Sequence, residues 1–132
     1  MILFLCTGNT CRSPMAAAMA RAKGIDAASA GLFAVDGAPA SPQAVRAAAR
    51  RGGDLRAHAA RTVTESMIRQ ADQIYVMTEA HRQALTARFP GSEKKTRVLS
   101  PSIPDPYGGD DRVYEQCAQA LETAMARAGI IP

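Results

Sequence analysis

Tryptophan is absent from this 132-residue chain, and phenylalanine and tyrosine supply three residues each. Binders of single-stranded nucleic acid stack bases on aromatic rings set among basic side chains. With so few rings, no nucleic-acid partner is expected. The net charge is only +4, and its densest part, Arg46, Arg50, Arg51, Arg56 and Arg61, reads as a solvated helix face. A milder reading is a basic rim that attracts phosphorylated protein segments. Cysteine is scarce and odd in number, at three, which excludes a secreted disulfide framework. The two histidines, His58 and His81, are not spaced with any cysteine pair as a zinc site requires. Neither metal nor cofactor is expected.

Long hydrophobic runs are also missing. Nothing approaches the ~20 apolar residues of a membrane helix, so no membrane partner is expected. The apolar opening, Met1–Leu5, is short, has no basic residues before it and runs straight into a polar loop. It does not read as a signal peptide. The expected location is the cytoplasm, where a reactive thiol stays reduced. The length bounds the chain to a single domain over residues 1–132.

What is present is concentrated in Cys6-Thr7-Gly8-Asn9-Thr10-Cys11-Arg12-Ser13-Pro14. Met1–Leu5 reads as a short buried strand. Ser13-Pro14 reads as a helix N-cap followed by proline in the first turn. Strand, tight loop and helix N-terminus together aim backbone N–H groups and the positive end of a helix dipole at one point. Residues Thr7 to Ser13 thus form a candidate phosphate cradle. Cys6 stands at its entrance, where nearby N–H groups and a guanidinium favour the nucleophilic thiolate. Arg12 offers a planar fork for two phosphate oxygens. Gly8 is expected to let the backbone turn close to the anion. Asn9 tolerates left-handed geometry and can brace the loop. Ser13 can donate to the sulfur.

The string CTGNTCRSPMA, with its Cys-x5-Arg-Ser core directly after a first strand, resembles the low-molecular-weight protein tyrosine phosphatase family, including its protein-arginine-phosphatase branch. The resemblance implies hydrolysis of phosphorylated protein side chains through a phosphocysteine, with phosphotyrosine as the family default. Phosphate-like anions would then act as inhibitors.

Further along, strands are expected near 27–32, 73–77 and 96–99, alternating with helices. Helix starts are marked by Ser41-Pro42, Thr64, Thr78 and Asp110 or Asp111. The last helix carries the stripe Val113, Tyr114, Cys117, Leu121, Met125 and Ala128, so Cys117 belongs to the core. Strand–helix alternation implies an α/β protein: a three-layer, four-stranded parallel doubly wound sheet with helices on both faces. The resemblance implies the same fold. Ligands of such sheets bind beyond the carboxyl ends of the strands, where the phosphate loop after strand one and the Pro/Gly-rich loop at 100–109 can meet.

That second loop holds Asp105 between Pro104 and Pro106, which restrict its backbone. An attacked phosphorus expels a leaving group that needs a proton, and Asp105 is the candidate donor. The same carboxylate can then activate the water that clears the phosphocysteine. Asp105-Pro106-Tyr107-Gly108 resembles the family's general-acid loop. Tyr107 is expected to wall the substrate pocket with Thr10. Phe33 either walls the opposite side or packs its own loop. Ser29-Ala30-Gly31 and His58-Ala59-Ala60-Arg61 also look like family stretches, without a catalytic role carried over.

Two readings of Cys11 stand. The resemblance implies a neighbour that traps oxidised Cys6 as a reversible disulfide; the other is a small inert hydrophobe. Substrate choice also stays open. The resemblance implies that threonine at position 10 marks the phosphoarginine branch, whereas tyrosine at 107 looks like the phosphotyrosine members. Ala17 departs from the family pattern, where an acidic residue is usual. Arsenate reduction on the same fold needs two further relay cysteines, and only Cys117 remains. A non-catalytic phosphate-binding module would not need Cys6, Arg12, Ser13 and Asp105 together.

Overall fold

The computed structural model describes all residues, 1–132. Four parallel strands, β1 (Ile2–Cys6), β2 (Ala27–Gly31), β3 (Gln73–Val76) and β4 (Thr96–Val98), lie in the order β2-β1-β3-β4. Five helices connect and cover them: α1 (Arg12–Ala22), α2 (Pro42–Ala49), α3 (Glu65–Gln70), α4 (Glu79–Arg88) and α5 (Asp111–Arg127). A short 3-10 helix at Pro90–Lys95 precedes β4. No helix is long and apolar enough to cross a membrane.

Alternation along β1 sorts the sheet's side chains into two cores. Phe4 and Cys6 join Tyr75 beneath α1, α2 and α5, where Met15, Ala44, Tyr114 and Leu121 are buried. Leu3 and Leu5 join Ile74 and Val76 on the opposite face, against Ile68 of α3 and Leu85 of α4. Alanine is the commonest residue of the first layer. The doubly wound, helix-on-both-faces architecture follows from this two-sided burial.

The predicted caps hold at four helices. Ser41, Thr64, Thr78 and Asp110 each accept a hydrogen bond from a backbone N–H in the first turn. Ser13 does not. Helix α1 begins two residues earlier, with Cys11 as its N-cap and no capping side chain. The Ser13 hydroxyl is occupied elsewhere, as described below.

The sheet order places β1 between β2 and β3, which leave it in opposite directions. Its carboxyl end is therefore the topological switch point, the place where doubly wound sheets open a crevice. Cys6 is the last residue of β1.

Candidate active site

The loop from Cys6 to Cys11 curls at this crevice. Its left-handed residue is Asn9, with φ 58°. Gly8 is not left-handed, contrary to the expectation that it makes the turn; a Cβ there would meet only Thr10 Oγ1, at 3.9 Å. What Gly8 provides is an unobstructed wall. The glycine the loop does require is Gly31, at the end of β2, where a Cβ would lie 2.7 Å from the Thr7 carbonyl oxygen and 3.1 Å from Asn9 N.

Asn9 is fully buried, and its side chain turns away from the crevice to hold the loop. Its Nδ2 donates to Ser13 Oγ and Ser29 Oγ, each at 2.9 Å, and its Oδ1 accepts from Arg61 N at 3.1 Å. His58 Nε2 lies 2.7 Å from the Asn9 carbonyl oxygen. The two stretches around Ser29 and His58 are thus the loop's scaffold, and Asn9 contributes to the cradle through its backbone.

A cavity of about 220 Å³ opens above this loop, lined by Cys6, Thr7, Gly8, Thr10, Cys11, Arg12, Asp105 and Tyr107. Cys6 is 3% exposed, and its Sγ lies 2.9 Å from Ser13 Oγ. Because Asn9 donates to that hydroxyl, the Ser13 proton is left for the sulfur or for the Ala30 carbonyl at 3.3 Å. The shorter partner is the sulfur. This engagement explains why Ser13 does not cap α1.

Arg12 is almost wholly buried. Its Nη1 donates to the Ile103 carbonyl oxygen at 2.9 Å, and its Nη2 stands 3.7 Å from Asp105 Oδ2. Asp105 keeps its side chain half exposed, and its Oδ1 accepts from Tyr107 N at 3.0 Å. The loop closed by the two prolines therefore delivers Asp105 to the same cavity as Cys6. Tyr107 is 80% exposed at the mouth. Phe33 does not line the cavity. It is 69% exposed, with the Arg88 guanidinium 5.3 Å from its ring centroid.

Cys11 Sγ lies 3.2 Å from Tyr114 Oη, 3.6 Å from Ser41 Oγ and 3.7 Å from Thr10 Oγ1. Burial, then the contact with Cys11, pushes the Tyr114 hydroxyl up to about 12. Cys117 is buried in the core, and that burial raises its thiol to about 12. Three cysteine thiols are free. No cluster of three His, Cys, Asp or Glu side chains is arranged to hold a metal ion.

Two contributors carry no motif in the sequence: the Ile103 carbonyl, which anchors Arg12, and His81 of α4, whose Nε2 lies 2.9 Å from Thr7 Oγ1. The first is backbone and has no side-chain signal. The second is a lone histidine that the search for metal spacing passes over.

Comparison with known proteins agrees with the geometry. The family described as "Low molecular weight phosphotyrosine protein phosphatase" matches residues 1–128. A protein-arginine-phosphatase from Geobacillus stearothermophilus is 38% identical, covering 96% of this chain and 91% of that protein. The low molecular weight protein-tyrosine-phosphatase Etp of Escherichia coli is 35% identical, covering 93% of this chain and 88% of its own. The solved structure of the Geobacillus stearothermophilus YwlE arginine phosphatase superposes with a TM-score of 0.90 over 96% of this chain and 88% of that one. The tyrosine phosphatase Wzb of Escherichia coli, in complex with sulphate, gives 0.88 at 32% identity, over 96% of this chain and 94% of its own. With a cysteine-bearing loop after the first strand and a family match over residues 1–128, the chain belongs to the low-molecular-weight protein tyrosine phosphatase family.

Proposed function

We propose that this protein removes phosphate from phosphorylated protein side chains in two steps. The carrying observation is that Cys6, Arg12 and Asp105 line one cavity while the Ser13 hydroxyl sits 2.9 Å from the sulfur. In the first step Cys6 Sγ attacks phosphorus and forms an S–P bond. The P–O or P–N bond to the substrate breaks, and Asp105 gives its proton to the departing oxygen or nitrogen. In the second step Asp105 takes a proton from water, which attacks phosphorus, breaks the S–P bond and releases inorganic phosphate. The Ser13 hydroxyl stabilises the sulfur as it leaves. Arg12 and the backbone N–H groups of residues 7–13 hold the equatorial oxygens, whose charge they meet in place.

Phosphoarginine is the substrate class we favour. Thr10 lines the cavity wall, and its hydroxyl can bond a guanidinium nitrogen or the attacking water. Two protein-arginine-phosphatases, from Geobacillus stearothermophilus and Bacillus subtilis, are 38% and 35% identical to this chain. A second reading, phosphotyrosine, draws on Tyr107 at the mouth, where a ring can stack on an aryl phosphate. Side-by-side kinetics on phosphoarginine and phosphotyrosine peptides of matched sequence test both. A higher kcat/KM for phosphoarginine supports the first reading, and the reverse order selects the second. Turnover of neither would reject the catalytic reading.

A further inference from the structure

His81 sits in the first turn of α4, its backbone N–H donating to the Thr78 capping hydroxyl at 3.2 Å. The residue is 7% exposed. Its ring reaches back across the crevice to Thr7, the residue that follows the nucleophile, with Nε2 2.9 Å from Thr7 Oγ1. Its other ring nitrogen, Nδ1, is buried and has no partner.

The missing partner decides the tautomer. Buried N–H groups without an acceptor are rare in folded proteins, while under-satisfied acceptors are better tolerated. The proton therefore belongs on Nε2, which donates to Thr7 Oγ1, and Nδ1 is the bare acceptor. The ring is neutral: burial first, then the nearby Arg12 charge, lowers it to about 4, against an opposing pull from Asp105. A helix N-terminus also disfavours a cation.

With one lone pair of Thr7 Oγ1 taken by His81, the hydroxyl proton must point elsewhere, and Thr7 lines the anion cavity. The backbone of Thr7 does not need this tie, because its carbonyl is already held by Phe33 N at 2.9 Å. We propose that His81 is a positioning residue, which by donating from Nε2 to Thr7 Oγ1 aims the Thr7 hydroxyl into the cavity as a side-chain donor to a phosphoryl oxygen. This rests on the reading of the cavity as a phosphatase site. It adds to the backbone cradle one hydroxyl and the buried ring that orients it.

A double-mutant cycle on kcat and KM for an aryl phosphate, with inhibition by inorganic phosphate, tests the proposal. Turnover by the wild-type enzyme is measured first; its absence would reject the phosphatase reading itself. Given turnover, His81→Ala and Thr7→Val should each raise KM and the phosphate inhibition constant about tenfold, the worth of one hydrogen bond to a charged group. In the Thr7→Val background, His81→Ala should add less than about twofold. His81→Gln, which can return a side-chain N–H to Thr7, should recover most of the loss. Its pH profile between about 5 and 8 should keep the wild-type shape, because a neutral ring passes no proton there. Additive losses, or a fall in kcat with KM and phosphate inhibition unchanged, overturn the proposal. Should His81→Ala fail to fold, Thr7→Ser against Thr7→Val decides. A roughly tenfold weaker phosphate inhibition in the valine variant supports it, and parity rejects it.

Discussion

Arg12 and Asp105 come from opposite ends of the chain and meet with Nη2 and Oδ2 3.7 Å apart. The same guanidinium donates to the Ile103 carbonyl at 2.9 Å, two residues before the acid. Arg12 therefore ties down the loop that carries Asp105 while presenting its remaining N–H groups to the cavity. On the proposed reading, anion binding and acid placement share one side chain.

That sharing predicts that Arg12→Lys is not conservative. An ammonium cannot hold the Ile103 carbonyl and two phosphate oxygens in one plane. Phosphate inhibition should weaken about a hundredfold, in keeping with the loss of paired charge-assisted hydrogen bonds. Steady-state inhibition by inorganic phosphate measures it, and an unchanged inhibition constant would exclude Arg12 from the anion site.

Cys6→Ser should abolish hydrolysis and leave phosphate binding nearly intact. The cradle is mostly backbone, and Asn9 and Gly31 hold its shape independently of the sulfur. Calorimetric titration with phosphate beside a turnover assay reads both. Residual turnover at the wild-type rate would sink the covalent route.

Asp105→Ala should slow turnover in proportion to how badly the leaving group needs a proton. Across a series of aryl phosphates the loss should be large for weakly acidic phenols and small for strongly acidic ones. A uniform loss would mean that Asp105 acts through Arg12 alone.

Thr10→Ile removes a hydroxyl from the cavity wall and adds bulk. The ratio of kcat/KM for phosphoarginine to that for phosphotyrosine should fall. The two peptides used above provide the measurement, and a constant ratio would place selection elsewhere, with Tyr107 the next position to vary.

His81 makes a stability prediction separate from its proposed role. Its folded state holds the ring's pKa at about 4, below the ordinary 6.5. The unfolded chain thus binds a proton that the folded chain does not. Stability is fully present above pH 6.5 and falls as the pH drops toward 4, by up to about 3 kcal/mol. Urea unfolding at pH 7, 5 and 4 should show a smaller loss for His81→Gln than for the wild type. Equal losses would mean that the ring protonates as easily in the fold as outside it.

Much of the architecture could be read from local chemistry. Thr64, Thr78 and Asp110 cap their helices with oxygens that have no other partner, and Ser41 caps α2 while its hydroxyl also lies near the Cys11 sulfur. Ser13 carries the same signature and fails, because Cys6 and Asn9 engage its hydroxyl first. A capping motif records what a side chain can do next to it in sequence. It does not record what a distant partner will ask of it. The placement of Asp105 beside Cys6 was legible from two motifs and the rule for parallel sheets. Phe33 was not, since its ring is taken by Arg88, contributed by α4 from more than fifty positions away. His81 was hidden for the same reason: it meets Thr7 over 74 residues, and no periodicity or spacing announces that meeting.

The contact between the end of β2 and the cradle limits how this pocket can diverge. At Gly31 even a methyl group would push directly on the amides that define the anion's seat. Position 31 therefore has no room for a side chain, and on the proposed reading a change of specificity falls to the rim, at Thr10 and Tyr107.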